Sequence, residues 1–146
     1  MSLSELKKSG RIREIPVDRK QIENHIALAK RDLSVAETLL KKNSDWSFIA
    51  SYNSMLQAAR ALMFSYGYTT SEEERHKTTV EFAKAVLGQS EAGTTSLFDR
   101  MRRKRHDVTY DEAGMISSFE AKQALETARR YARVMEKRIR ERLGSR

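Results

Sequence analysis

One stretch near the centre of the chain, from Phe48 to Tyr66, is apolar on two helical faces at once. That feature most narrows what the sequence can fold into. Ile49, Tyr52, Leu56, Ala59, Met63 and Tyr66 form one face at helical spacing, and Phe48, Met55 and Leu62 add a second row beside it. A helix with two apolar faces must be covered from two sides, so it belongs at the middle of a bundle. Asn43, Ser44 and Asp45 supply its start, and Gly67 its stop. Asn53, a polar residue among apolar neighbours, implies a buried hydrogen bond. Trp46 and Phe48 flank the helix start as core or dimer contacts.

The remaining segments provide the cover. Ile22, Ile26, Ala29, Leu33, Ala36 and Leu40 step by four and three, one stripe of a helix over about 18–42, with Asp18 as N-cap and Gln21 three residues on. Ser71 and Glu74 form a second capping-box pattern, opening a short helix that buries Val80, Ala83, Val86 and Leu87 and ends at Gly88. A fourth helix is expected from near Leu97 to about Tyr110. Ser117 and Glu120 cap a long last one, lined by Ala121, Ala124, Ala128, Tyr131, Met135 and Ile139. The fold class is therefore all-α, an up-and-down bundle of about five helices spanning 18–146. Residues 1–17 read as an irregular basic N-terminal arm carrying Lys7, Lys8, Arg11 and Arg13.

Composition agrees and excludes several classes. One proline and six glycines in 146 residues leave few helix breakers. No cysteine is present, which removes disulfides, thiolate metal sites and a thiol nucleophile. No apolar run approaches the roughly 18 residues a membrane span needs, and no apolar segment follows the charged start as in a signal peptide. A cytoplasmic protein without membrane contact is the expectation. His25, His76 and His106 lack ligand-like spacing, so neither metal nor cofactor is expected. Lys and Arg total 28 against 20 Asp and Glu, a net charge of +8 that suits an anionic partner or merely a soluble surface.

The charge is concentrated. Five of the six residues from Arg100 to Arg105 are cationic, which costs helix stability unless carboxylates or a bound anion compensate. Asp99 reaches Arg103 at i+4, and Asp107 lies three positions from Lys104. On a helix, Arg102, His106 and Tyr110 share a stripe with Arg103 alongside, while Arg105 points about 100° away from His106. Guanidinium binds phosphate in a fork, and imidazole moves protons near neutral pH. One alternative is a solvated face trimmed with ion pairs; another has Tyr110 packed inward and His106 as a merely exposed side chain. His76, between Arg75 and Lys77, either joins that cleft or is structural.

The run Tyr52 to Phe64, then Gly67-Tyr68, His76-Lys77-Thr78 and the Arg-rich Arg102 to Tyr110, resembles HEPN-domain proteins over about 18–138. That resemblance implies a homodimer and a motif of Arg, four to six residues, then His, which marks metal-independent endoribonucleases of toxin–antitoxin or stress-response systems. Arg100 and His106 satisfy the spacing as catalytic residues, with Arg102, Arg103, Arg105, Asp107 and Tyr110 as binding residues. The family's Arg is usually followed by a polar residue, and by that criterion Arg105-His106 opens the motif and Tyr110 occupies its last position. The first alignment implies RNA cleavage, with His106 moving protons and Arg100 or Arg102 stabilising the phosphorane. The second implies a degenerate site that binds RNA or nucleotide, or a non-catalytic module partnering a small MNT-type nucleotidyltransferase.

Overall fold

The computed structural model describes residues 1–144; the last two residues of the expected 18–146 domain lie outside the described residues. The central apolar segment is helix α3 (Ser44–Ser65), counting α1 (Leu3–Lys8) and α2 (Arg19–Leu39) before it. Tyr52, Met55 and Leu62 of α3 are wholly enclosed, each apolar side chain contributing about 1.5–3 kcal/mol on transfer from water. The cover comes mainly from α2 and the long α6 (Ser118–Gly144). Helices α4 (Arg75–Leu87) and α5 (Ala92–Tyr110) close the rest, so the all-α expectation stands. A one-turn 3-10 segment, Gln89–Glu91, joins α4 to α5.

Two serines register α3 against α2. Ser47 donates to the Ala36 carbonyl and Ser54 to the Ala29 carbonyl, each at 2.8 Å and buried. Such bonds satisfy hydroxyls that would otherwise be costly inside a core. Of the anticipated caps, Asp18 accepts from Lys20 and Gln21, Asn43 from Trp46, and Ser117 from Glu120. The last stripe is buried throughout, from Ala121 to Ile139. Phe48 is core, whereas Trp46 is 54% exposed and Asn53 only half-buried.

Three expectations are corrected. The capping box at Ser71 does not form: Glu74 itself is the N-cap, in left-handed backbone with φ 50°, and the Ser71 hydroxyl donates to the Gly10 carbonyl instead. α5 begins at Ala92, earlier than expected, because Thr94 and Thr95 are buried helical residues rather than a loop. The N-terminal arm is not irregular. It contains α1 and the strand β1 (Ile12–Glu14), which pairs antiparallel with β2 (Tyr68–Thr70). Leu6 and Ile12 enter the core, and burying them fixes the arm.

Candidate anion-binding groove

The site is built where the first turn of α4 meets the middle of α5 over a phenol from α3. α5 faces inward through Phe98, Met101 and Val108, which sets the residues between them at the rim. α4 is held from below by the arm. The Arg11 guanidinium donates to Thr78 Oγ1 at 2.9 and 3.2 Å and to Glu81 at 2.6 Å. That clasp fixes the turn carrying His76.

His76 Nδ1 lies 2.9 Å from the Tyr52 hydroxyl, with the two rings stacked at 5.8 Å. Burial pushes the Tyr52 phenol far above its ordinary range, so it remains protonated. The same desolvation, followed by Arg105, Arg60 and Arg102, holds His76 below the usual histidine value. Burial likewise lowers the Arg60 guanidinium, and Arg75 adds to it. Arg105 lies over the Tyr52 ring at 5.8 Å, and its buried Nε has no hydrogen-bond partner among the described residues.

His76, Arg102, Arg103, Arg105, His106 and Asp107 together line a shallow groove of about 470 Å³. Asp99 draws on two of these cations, accepting from Arg102 Nε at 3.0 Å and from Arg103 at 2.9 Å. Lys104 pairs with Glu120 of α6 at 2.7 Å, not with Asp107. Arg105 has no carboxylate partner among the described residues. The lining thus carries one unmatched guanidinium, two imidazoles and two arginines that share Asp99, against one further carboxylate, Asp107.

The structure divides the sequence-derived set. Arg102 and His106 share the groove as their spacing requires. Arg105 joins them rather than pointing away: its long side chain folds back across Tyr52, and a groove admits residues from adjacent helix faces. Arg100 lies elsewhere, lining a second groove of about 500 Å³ between α5 and α6 with Leu97, Met101 and Lys104. Six residues turn a helix by roughly 600°, leaving Arg100 roughly 120° from His106. One chain therefore does not bring these two into contact with a common ligand. Tyr110 points outward, 68% exposed, with its ring 5.1 Å from that of His106. Tyr52 is the residue sequence reasoning missed: spacing marked it as core, and only its polar tip hinted at a partner. Among the described residues no cluster of three or more His, Asp or Glu is placed to hold a metal ion. No helix among them is long and apolar enough to cross a membrane.

Comparison with known proteins agrees with this architecture. The crystal structure of TT1696 from Thermus thermophilus superposes with a TM-score of 0.64 at 15% identity, covering 81% of this chain and 98% of that one. At that identity the likeness concerns the fold. No curated protein matches the sequence. The family model of the HEPN domain matches residues 22–138, from the first buried isoleucine of α2 to Arg138 on α6, and the chain belongs to the HEPN domain family.

Proposed function

We propose that this HEPN domain binds the phosphates of RNA or of a nucleotide in the groove between α4 and α5. The observation that carries the reading is Arg105, a half-buried guanidinium without an acidic partner among the described residues, set among Arg102, Arg103, His76 and His106. An uncompensated cation placed this way lacks a counter-charge that a phosphate oxygen supplies in a charge-assisted hydrogen bond. Asp107 and Tyr110 stand at the edge, where Tyr110 offers an exposed ring to a base. The protein acts in this reading as a homodimeric component of a toxin–antitoxin or stress-response system. A small MNT-type nucleotidyltransferase is the protein partner that the family resemblance suggests.

One observation favours a catalytic version. His106 is exposed within the same groove as Arg102, as metal-independent RNA cleavage requires. There the 2′-hydroxyl attacks the adjacent phosphorus, His106 accepts its proton, Arg102 stabilises the phosphorane, and the bond to the 5′-oxygen breaks as His106 returns the proton to it. Arg100 takes part only if a second copy brings it to the groove.

The test uses single-stranded RNA with EDTA present. Binding by the wild type, weakened about tenfold or more in Arg105→Ala, supports the phosphate groove. Wild-type affinity retained by that variant refutes it. Cleavage lost in His106→Ala identifies the catalytic version, and intact RNA throughout leaves the binding module.

A further inference from the structure

The Tyr52–His76 pair has a chemistry of its own. Tyr52 is fully buried, and among the described residues its hydroxyl has one hydrogen-bond partner, His76 Nδ1. A buried phenol that cannot donate its proton is costly, so Tyr52 donates and Nδ1 accepts. That fixes the resting tautomer: the proton of neutral His76 sits on Nε2, the nitrogen left to the groove.

Burial and the surrounding arginines resist a second proton. From α3, Tyr52 presents its O–H and Arg60 its positive charge; from α4, Arg75 adjoins in sequence. From α5 come Arg102 and Arg105, with Asp99 engaged by Arg102, and His106 and Asp107 complete the groove lining. Protonation at Nδ1 forces the Tyr52 hydroxyl to turn from donor to acceptor. The neutral imidazole is thereby favoured, as a donor, until a ligand adds negative charge.

We propose that His76 is a proton-gated phosphate ligand: neutral in the empty groove, it takes up a proton as a doubly charged terminal phosphate arrives. The inference rests on the phosphate-groove reading above and adds the ligand's charge to it. An internal phosphodiester brings one charge, which the unmatched Arg105 balances. A terminal phosphate brings two, and the second draws the proton onto His76. The proton comes from solvent; no bond to phosphorus changes. His76 thus selects RNA ends or nucleotides over internal linkages, more strongly as the pH falls toward about 6, where the terminal phosphate begins to take up its own second proton.

Imidazole nitrogen NMR on the full chain tests this, with sulfate as a probe that stays doubly charged throughout. Expected in the free protein is the Nε2–H tautomer of His76, titrating below the ordinary histidine value. Saturating sulfate moves that titration upward. Sulfate affinity then climbs as the pH drops, by at most about tenfold per pH unit for one linked proton. His76→Gln, which keeps an N–H donor but cannot titrate, removes the slope. Above about pH 6, where the terminal phosphate keeps both charges, RNA with a 5′-phosphate shows the slope and RNA with a 5′-hydroxyl does not. An Nδ1–H tautomer, or a slope unchanged in His76→Gln, overturns the inference while the groove stands. A slope equal for both RNAs overturns the assignment to a terminal phosphate. Absence of wild-type binding to sulfate and to both RNAs at every pH overturns the groove as well.

Discussion

A buried hydroxyl pair shows how direction, not only presence, of a hydrogen bond decides what a residue contributes. Thr95 Oγ1 donates to the Glu91 carbonyl at 3.0 Å, so its single proton is committed and the Tyr131 hydroxyl, 2.8 Å away, must be the donor to it. Tyr131 stays protonated because burial pushes its phenol up to about 12. Tyr131→Phe therefore removes one bond and strands nothing, a loss of about 1 kcal/mol. Thr95→Val leaves the buried phenol without an acceptor and costs more, about 1–3 kcal/mol. Urea unfolding of both variants checks the order, and equal losses would contradict the assigned direction. Titration acts at the same scale. Burial lowers both His25 and His76 in the folded protein. The unfolded chain then binds more protons below the ordinary histidine value, and stability present above about pH 6.5 is lost as the pH falls. The melting temperature declines from about pH 7.5 toward about pH 5, and His25→Gln flattens that decline in calorimetry. Neither effect was legible beforehand. Periodicity marked Tyr131 and Tyr52 as interior, but their polar tips are satisfied by residues 36 and 24 positions away.

Elements were legible wherever the signal was local. Apolar stripes placed α2, α3 and α6, and caps at Asp18, Asn43 and Ser117 fixed their starts, because each cap bonds within three residues. Ser71 failed as a cap because the Gly10 carbonyl, 61 residues away in sequence, took its hydroxyl. The arm escaped notice for the same reason, since a three-residue strand has no pattern until its partner is known. Arg11 is the clasp between that ribbon and α4, reaching Thr78 and a part-buried Glu81. Arg11→Ala strands Glu81 near the surface and frees the arm, for a loss of about 1.5–3 kcal/mol. Hydrogen exchange should quicken first at Ile12–Glu14 and the start of α4, not in α3. The loop between α5 and α6 depends on another long-range bond. Asp45 accepts from the Gly114 amide at 2.6 Å and the Ile116 amide at 3.1 Å. Asp45→Ala removes both acceptors and destabilises by about 1–3 kcal/mol, measurable by the shift of the urea midpoint.

Across the whole molecule, a charge of +8 says little until carboxylates are assigned to cations. Glu14 holds Lys7, Glu23 holds Arg140, Glu37 holds Arg129 and Glu120 holds Lys104. The first three pairs are exposed and contribute little to stability individually, but they cancel charge over the outer faces of the bundle, while the part-buried Lys104–Glu120 pair does so between α5 and α6. In the groove between α4 and α5, Asp99 is shared between two arginines, and the half-buried Arg105 beside them has no carboxylate partner among the described residues. Sequence could locate the run of cations but not this imbalance, which depends on where α6 and its Glu120 pass. The consequence is a salt dependence that belongs to one place. If Arg102, Arg103 and Arg105 each neutralise one phosphate of single-stranded RNA, the logarithm of affinity falls against that of salt with a slope near about −2, about −0.7 per contact. Arg105→Ala then makes the slope shallower by about 0.7 and weakens binding at low salt. Arg129→Ala, on the α6 side facing Glu37, removes the same formal charge and leaves the slope nearly intact. Fluorescence anisotropy across a salt series distinguishes these cases. Equal changes in both variants would mean that RNA responds to the molecule's total charge and that the groove holds no phosphate.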